Sequence, residues 1–235
     1  MTGIRGEERH QAGGSWLREV VFGINDGLVS NLTLVAGVAG AGPRSSLVLL
    51  AGLSGLVAGA ASMGIGAYVS EKSQLEFYRS EERREMDETA SHPELEREEV
   101  RQIYLAKGLS GELLDRVVHA LTVERERWVR LMMEEELGLP KVTTRPAVDA
   151  LVMGAAFAAG AVVPILPFLV LAAGPGLKAS VGLSILALFA VGAGRSRFTR
   201  RNPFWAGGEM VLAGGAAAFI AWSLVRLLGL GNLGV

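Results

Sequence analysis

From Val20 to Ser70 the chain carries only two charges, Asp26 and Arg44. A helix or strand at the surface of a soluble domain needs a wet face, so charged and apolar positions interleave. A run this long without that interleaving is either buried on all sides or dissolved in lipid. Residues 146–235 are again poor in charge, whereas 71–145 hold 18 of the 24 acidic residues. Half of the 235 residues are hydrophobic, a fraction that soluble domains also reach. The separation into blocks is what reads as a membrane protein with one soluble insert.

A helix needs about 20 residues to cross the hydrocarbon core. Five segments qualify, roughly 20–41, 46–70, 147–173, 177–194 and 208–230. One small core could not bury five such runs. The short loops orient them. GRSRFTRRNP, between the fourth and fifth spans, carries four arginines, while AGPRSS and GPGLK carry one cation each. The arginine excess puts that loop in the cytoplasm. Alternation puts the N-terminal segment 1–19 and the 71–145 insert on the same side, and the C-terminal GNLGV outside. No apolar stretch precedes residue 20, so no signal peptide is expected. A net charge of −1 gives no electrostatic case for nucleic acid, and the absence of cysteine excludes disulfides and thiolate sites.

The insert is expected to form three helices. EKSQLEFYRSEERREMDETA continues the second span without a Gly or Pro. SHPELEREEVRQIYLAKG follows, with Pro93 suited to a first helical turn and Gly108 to a C-terminal cap. Ser110 can cap GELLDRVVHALT, and VERERWVRLMMEEELG ends at Gly138. The pattern leaves open whether the last two stretches are one helix or two.

Asp26 is the most informative residue. A carboxylate in a bilayer core costs roughly 2.5–3.5 kcal/mol on insertion scales, so it usually faces a bundle interior or a water-filled path. Ser30, Thr33 and Gly37 follow it at helical spacing, with Asn25 and Asn31 at the flanks. A desolvated carboxylate can trade a proton for a cation. The plainer reading is that Asp26 only anchors the cytoplasmic end of its helix. On the second span Gly52, Gly55, Gly59, Gly66 and Ser70 form a small-residue stripe interrupted by Met63. Such a stripe lets helix backbones approach. A thioether there either fills a gap or offers a soft ligand. Pro164 and Pro167 break the third span, as transport sites often require and simple kinks also do.

In the insert, Glu85 and Glu88 share a face, as do Glu96 and Glu99, and Met132, Met133 and Glu136 sit on the last helix. Carboxylates on facing helices are a common cage for divalent cations. The alternative is a solvated charged surface, with Arg83, Arg84 and Arg97 as partners. There is no HExxH, catalytic triad, Walker loop or dinucleotide fingerprint, so no enzyme is expected.

Four stretches together resemble the vacuolar iron transporter, or CCC1-like, family: FGINDGLVSNLTLVAGVAGA, GLVAGAASMGIGAYVSEKSQ, the Glu-rich insert ending EEELGLP, and GAVVPILPFL. The resemblance implies an all-α membrane protein of five transmembrane helices with a cytoplasmic three-helix metal-binding insert between helices two and three. It implies a homodimer in the lipid bilayer that exchanges cytosolic Fe2+, and often Mn2+, for protons. The pore residues would be Asp26 and Met63, with Ser30 and Asn31 beside them. The insert's ligands would be Glu85, Glu88, Glu96, Glu99 and Glu136, with Met132 and its neighbour Met133. No tightly bound cofactor is implied: the metal is cargo, and Zn2+ or Co2+ would suit the same donors. Some relatives carry a further acid on span two, where this chain has the glycines around Gly55. Rival readings are a passive divalent-cation channel, a membrane-anchored metal sensor or adaptor, and a transporter of other selectivity. The many Ala, Gly and Arg residues fit a prokaryotic plasma membrane.

Overall fold

The computed structural model describes residues 14–40, 44–142 and 145–227, the side chains of 14–16, 218 and 221–227 excepted. The start of the expected N-terminal segment, the Gly42-Pro43 break and the C-terminal GNLGV lie outside the described residues. Eight α-helices and one 3-10 turn are present among them, and no strand. Their chain order is α1 (Gly14–Gly40), α2 (Ser45–Ser91), α3 (Pro93–Ala106), α4 (Gly111–Thr122), α5 (Arg125–Glu135), α6 (Pro146–Val162), α7 (Ala173–Thr199) and α8 (Pro203–Leu227), with the 3-10 turn Leu166–Leu169 between α6 and α7. Two compact units divide the chain: Met1–Tyr68 with Pro146–Val235, and Val69–Arg145. The boundary falls within α2, which runs 47 residues without a break.

Three described helices are long and apolar enough to cross a bilayer: Leu17–Gly40, Ser45–Ser91 and Ala173–Thr199. Their large apolar side chains stand exposed, Leu50, Val57, Ile65 and Leu186 each by more than 60 %. In water that surface would drive aggregation; in lipid it is the expected exterior. α1 packs on α6, α7 and α8. The approach to α6 is backbone on backbone: a Cβ on Gly27 would run into the carbonyl of Phe157, and one on Gly160 into the carbonyl of Ile24. Leu28 of α1 meets Leu188 and Met210 in one core cluster, and Val35 and Ala39 meet Val48, Ile165 and Phe168 in another.

The third span, expected over 147–173 with breaks at Pro164 and Pro167, is helical only as far as Val162. α6 stops at Val162 because Pro164 has no N–H for the carbonyl of Gly160. Val163 takes that carbonyl instead at 3.2 Å, Ile165 donates to Val162 at 3.0 Å, and the chain passes into the 3-10 turn. Ser180 of α7, fully buried, donates to the freed carbonyl of Pro164 at 2.7 Å. The expected boundaries of the fourth span and its following loop also shift. GPGLK lies in the first turns of α7, and Arg195 and Arg197 extend its other end. Long Arg side chains are good helix formers, so the helix continues to Arg200, whose φ of 53° ends it. α8 then starts with Pro203 in the first turn and Asn202 Oδ1 accepting from the Phe204 N–H at 2.9 Å.

In the second unit, Pro93 opens α3. At its other end Gly108 takes φ 93°, its N–H donating to Leu105 and that of Leu109 to Tyr104, a Schellman closure. Ser110 stands at the head of α4, although its hydroxyl makes no capping bond. Glu124 in an extended conformation separates α4 from α5, so the last two stretches are two helices. Val100, Leu114, Val118, Trp128 and Met132 form one core, and Tyr78, Val129 and Met133 a second.

Candidate functional site

A cavity of about 280 Å³ opens in the first unit. α1 supplies Asp26, Ser30, Asn31 and Leu34, α2 supplies Gly55, Gly59, Ser62 and Met63, and α6 supplies Phe157. The structure thus sets Asp26, Ser30, Asn31 and Met63 around one space. Helical spacing explains the α1 set: Ser30 and Leu34 lie one and two turns beyond Asp26. Asp26 is half-buried. Ser30 Oγ donates to the Asp26 carbonyl at 2.5 Å, which leaves the hydroxyl's lone pairs free to accept. Asn31 is buried; its Nδ2 donates to the Ala161 carbonyl at 2.6 Å.

The glycine stripe divides. Gly52 lies under Val35 and Ile165, Gly55 under Leu34 and Asn31, and Gly59 against the Phe157 ring, whereas a Cβ on Gly66 would meet nothing within 4 Å. The stripe therefore opens room for side chains of α1 and α6 at the cavity rather than for another backbone. Gly64 does meet a backbone: a Cβ there would lie 3.1 Å from the Ala150 carbonyl. Sequence reasoning missed Ser62 and Phe157. Ser62 stands beside Met63 in AASMG and was open to notice; nothing in sequence flags the Phe157 ring. Carboxylate, hydroxyl, carboxamide and thioether together form a mixed oxygen and sulfur donor set of the kind first-row divalent cations accept.

The second unit holds the acidic candidates. Glu85 on α2 and Glu96 on α3 are buried, and Oε2 of each lacks a hydrogen-bond partner. Burial, with the charges of Glu136, Glu96 and Glu88 around it, pushes Glu85 up to about 7. Burial, then Glu99, Glu88 and Glu136, does the same to Glu96. Glu136, just past α5, is raised by burial and by Glu99 and Glu88. Glu88 and Glu99 thus add to the negative field at the buried carboxylates. Among the described residues Arg84 opposes these shifts; its Nε pairs with Glu88 at 3.1 Å. Arg97 goes elsewhere, to Glu94 at 2.6 Å and over the Trp128 ring. Arg83 donates to the Arg79 carbonyl.

Among the described residues, no three acidic or histidine side chains converge closely enough to grip a metal. Met132 and Met133 are both fully buried, but in different clusters, Met132 with Trp128 and Met133 with Tyr78. Consecutive residues of a helix lie about 100° apart, so one packing surface cannot take both.

The model of the VIT family matches residues 17–226. The chain is 35 % identical to Vacuolar iron transporter 1 of Oryza sativa over 221 residues, 93 % of this chain and 88 % of that protein. It is 34 % identical to Vacuolar iron transporter 1 of Arabidopsis thaliana over 223 residues, 94 % and 89 % of the two chains. Protein CCC1 of Saccharomyces cerevisiae is 28 % identical over 228 residues, 91 % of this chain and 69 % of that one. All three come from eukaryotes and lend nothing to a prokaryotic plasma membrane.

Proposed function

The chain belongs to the VIT family, and from that premise we propose that it carries Fe2+, and Mn2+ with it, out of the cytosol in exchange for protons. The observation that carries the reading is the cavity that gathers Asp26, Ser30, Asn31 and Met63. A carboxylate set there alternates between cation and proton, so a proton moving inward leaves Asp26 ready for the next cation. The thioether of Met63 favours a borderline cation over Mg2+ or Ca2+.

The insert collects the cation. Glu85, Glu88, Glu96, Glu99 and Glu136 share a field of like charge that a divalent ion relieves, and the ion draws the carboxylates together as it binds. Met132 and Met133 would reach it only if their apolar clusters opened.

The proposed membrane arrangement has five passes: α1, the apolar half of α2, α6 with its 3-10 turn, α7 and α8. Arg195, Arg197, Arg200 and Arg201 lie on the cytoplasmic side with the N-terminal segment and the insert. α2 leaves most of its apolar surface uncovered in one chain, which suits a second copy against it in a homodimer.

Vesicles reconstituted with the full chain test this. An inward-directed Fe2+ flux should rise when the lumen is the more acidic side and should alkalinise the lumen in step, as protons leave in exchange; flux indifferent to that gradient defines a passive channel instead. Asp26→Asn should abolish uptake while cation binding at the insert persists. Normal uptake by that variant would remove Asp26 from the path.

A further inference from the structure

We propose that Asn31 supplies a neutral oxygen ligand to the cation in the Asp26 cavity, and that the break in α6 fixes its orientation. The inference rests on reading that cavity as the cation path. In an unbroken helix the carbonyl of Ala161 would receive the N–H of Ile165. Here Ile165 donates to Val162, so Ala161 has no donor from its own helix. Asn31 Nδ2 fills the vacancy at 2.6 Å. A backbone carbonyl can only accept, so the nitrogen of the carboxamide has to face it. The amide cannot flip, and Oδ1 points the other way.

That oxygen is turned toward Gly55: a Cβ placed there would lie 3.0 Å from it. Asn31 is 2 % exposed, and Oδ1 has no hydrogen-bond donor. Both residues line the same cavity as Asp26 and Met63. A buried carbonyl oxygen left without a donor costs stability. A partly dehydrated cation offsets that cost by taking the lone pairs, since amide carbonyls are ordinary ligands of hard and borderline cations. The broken helix therefore acts at a distance: it creates the orphan acceptor that holds the ligand rigid.

The two ends of the carboxamide can be tested apart. Asn31→Leu removes both the bond to Ala161 and the oxygen. Asn31→Asp keeps an oxygen toward Gly55 and gives up the donor. Uptake of Fe2+, kept reduced, is measured in vesicles beside the thermal unfolding of each variant. The expected result is a KM raised about tenfold or more in Asn31→Leu, the scale on which loss of metal-site groups is felt. Asn31→Asp, which keeps an oxygen ligand but loses its anchor, raises KM at least about threefold less than Asn31→Leu does, even though both variants unfold at lower temperature. KM unchanged in both, or raised equally in both, overturns the proposal and leaves a structural hydrogen bond. If Asn31→Leu does not fold, Asn31→Ala takes its place as the variant without the oxygen, and a KM no higher than that of Asn31→Asp overturns the proposal. Asp26→Asn separates the two levels: normal uptake by it removes the cavity reading, whereas an inactive Asp26→Asn beside unaltered Asn31 variants removes only this ligand.

Discussion

Lowering the pH should strip the insert of its cation, and the structure sets the steepness. Glu85 and Glu96 both titrate at about 7, chiefly because they are buried and then because other glutamates surround them. A divalent ion competes with those protons. Each group is ionised to about one part in eleven at pH 6 and about ten parts in eleven at pH 8. If binding requires both to be ionised, the apparent affinity falls about a hundredfold between pH 8 and pH 6; if it requires one, about tenfold. Calorimetric titration of the detergent-solubilised full chain with air-stable Mn2+ at pH 6, 7 and 8 measures this. Buffers of different ionisation enthalpy count the protons released, about one per cation at pH 7 if both groups take part. Glu85→Gln combined with Glu96→Gln should shrink the pH-dependent component, leaving the share of Glu136, which is also raised. An affinity that changes less than about twofold across the range refutes the reasoning. The same shift acts on stability with a definite sign. These groups hold a proton more tightly folded than unfolded, so metal-free stability falls as pH rises from about 4.5 to about 7 and is level above.

Gly27→Ala forces a Cβ against the Phe157 carbonyl on a stiff helix and should cost about 1–3 kcal/mol, read as a lower unfolding temperature in detergent. Gly182→Ala on α7, with nothing within 4 Å, should be neutral or stabilising, so equal losses in the two would argue against the close α1–α6 contact. Met132→Ala should cost about 2–5 kcal/mol by emptying the Trp128 cluster. Met132→Leu should cost less than about 1.5 kcal/mol and keep Mn2+ affinity; affinity lost at unchanged stability would assign the thioether to the cation.

The cavity was legible because a helix repeats its face. Asp26, Ser30 and the glycines of α2 mark a polar, close-packed side in the sequence itself. Its α6 wall was not legible. Phe157 belongs to a helix that is apolar on every face beyond Asp149 in its first turn, so periodicity names no inward face. The extent of the third span failed for a different reason. Pro164 and Pro167 were visible as breakers, but hydropathy does not distinguish a helix from a 3-10 turn of the same composition. In the insert, the spacing of Glu85, Glu88, Glu96 and Glu99 told which carboxylates share a face. It could not tell that Glu85 and Glu96 would be the buried pair, since that depends on α3 folding back beside the end of α2. Adjacent Met132 and Met133 suggested one sulfur-bearing face, whereas the helix angle sends them to separate cores.

The contact between α1 and α6 limits how the Asp26 cavity can open. Where a glycine rests directly on a neighbouring carbonyl, as Gly27 and Gly160 do, two helices cannot slide past each other without collision, and shear is closed as a mode of motion. α1 and α6 must then travel as one block, carrying Asp26, Asn31 and Phe157 together. α2, whose apolar half is mostly uncovered by the rest of its own chain, touches α6 backbone to backbone at Gly64 and Gly154, so its remaining motion is a tilt about that contact. Access to the carboxylate becomes a matter of α2 tilting against a fixed pair, and a crosslink between α1 and α6 would leave it untouched.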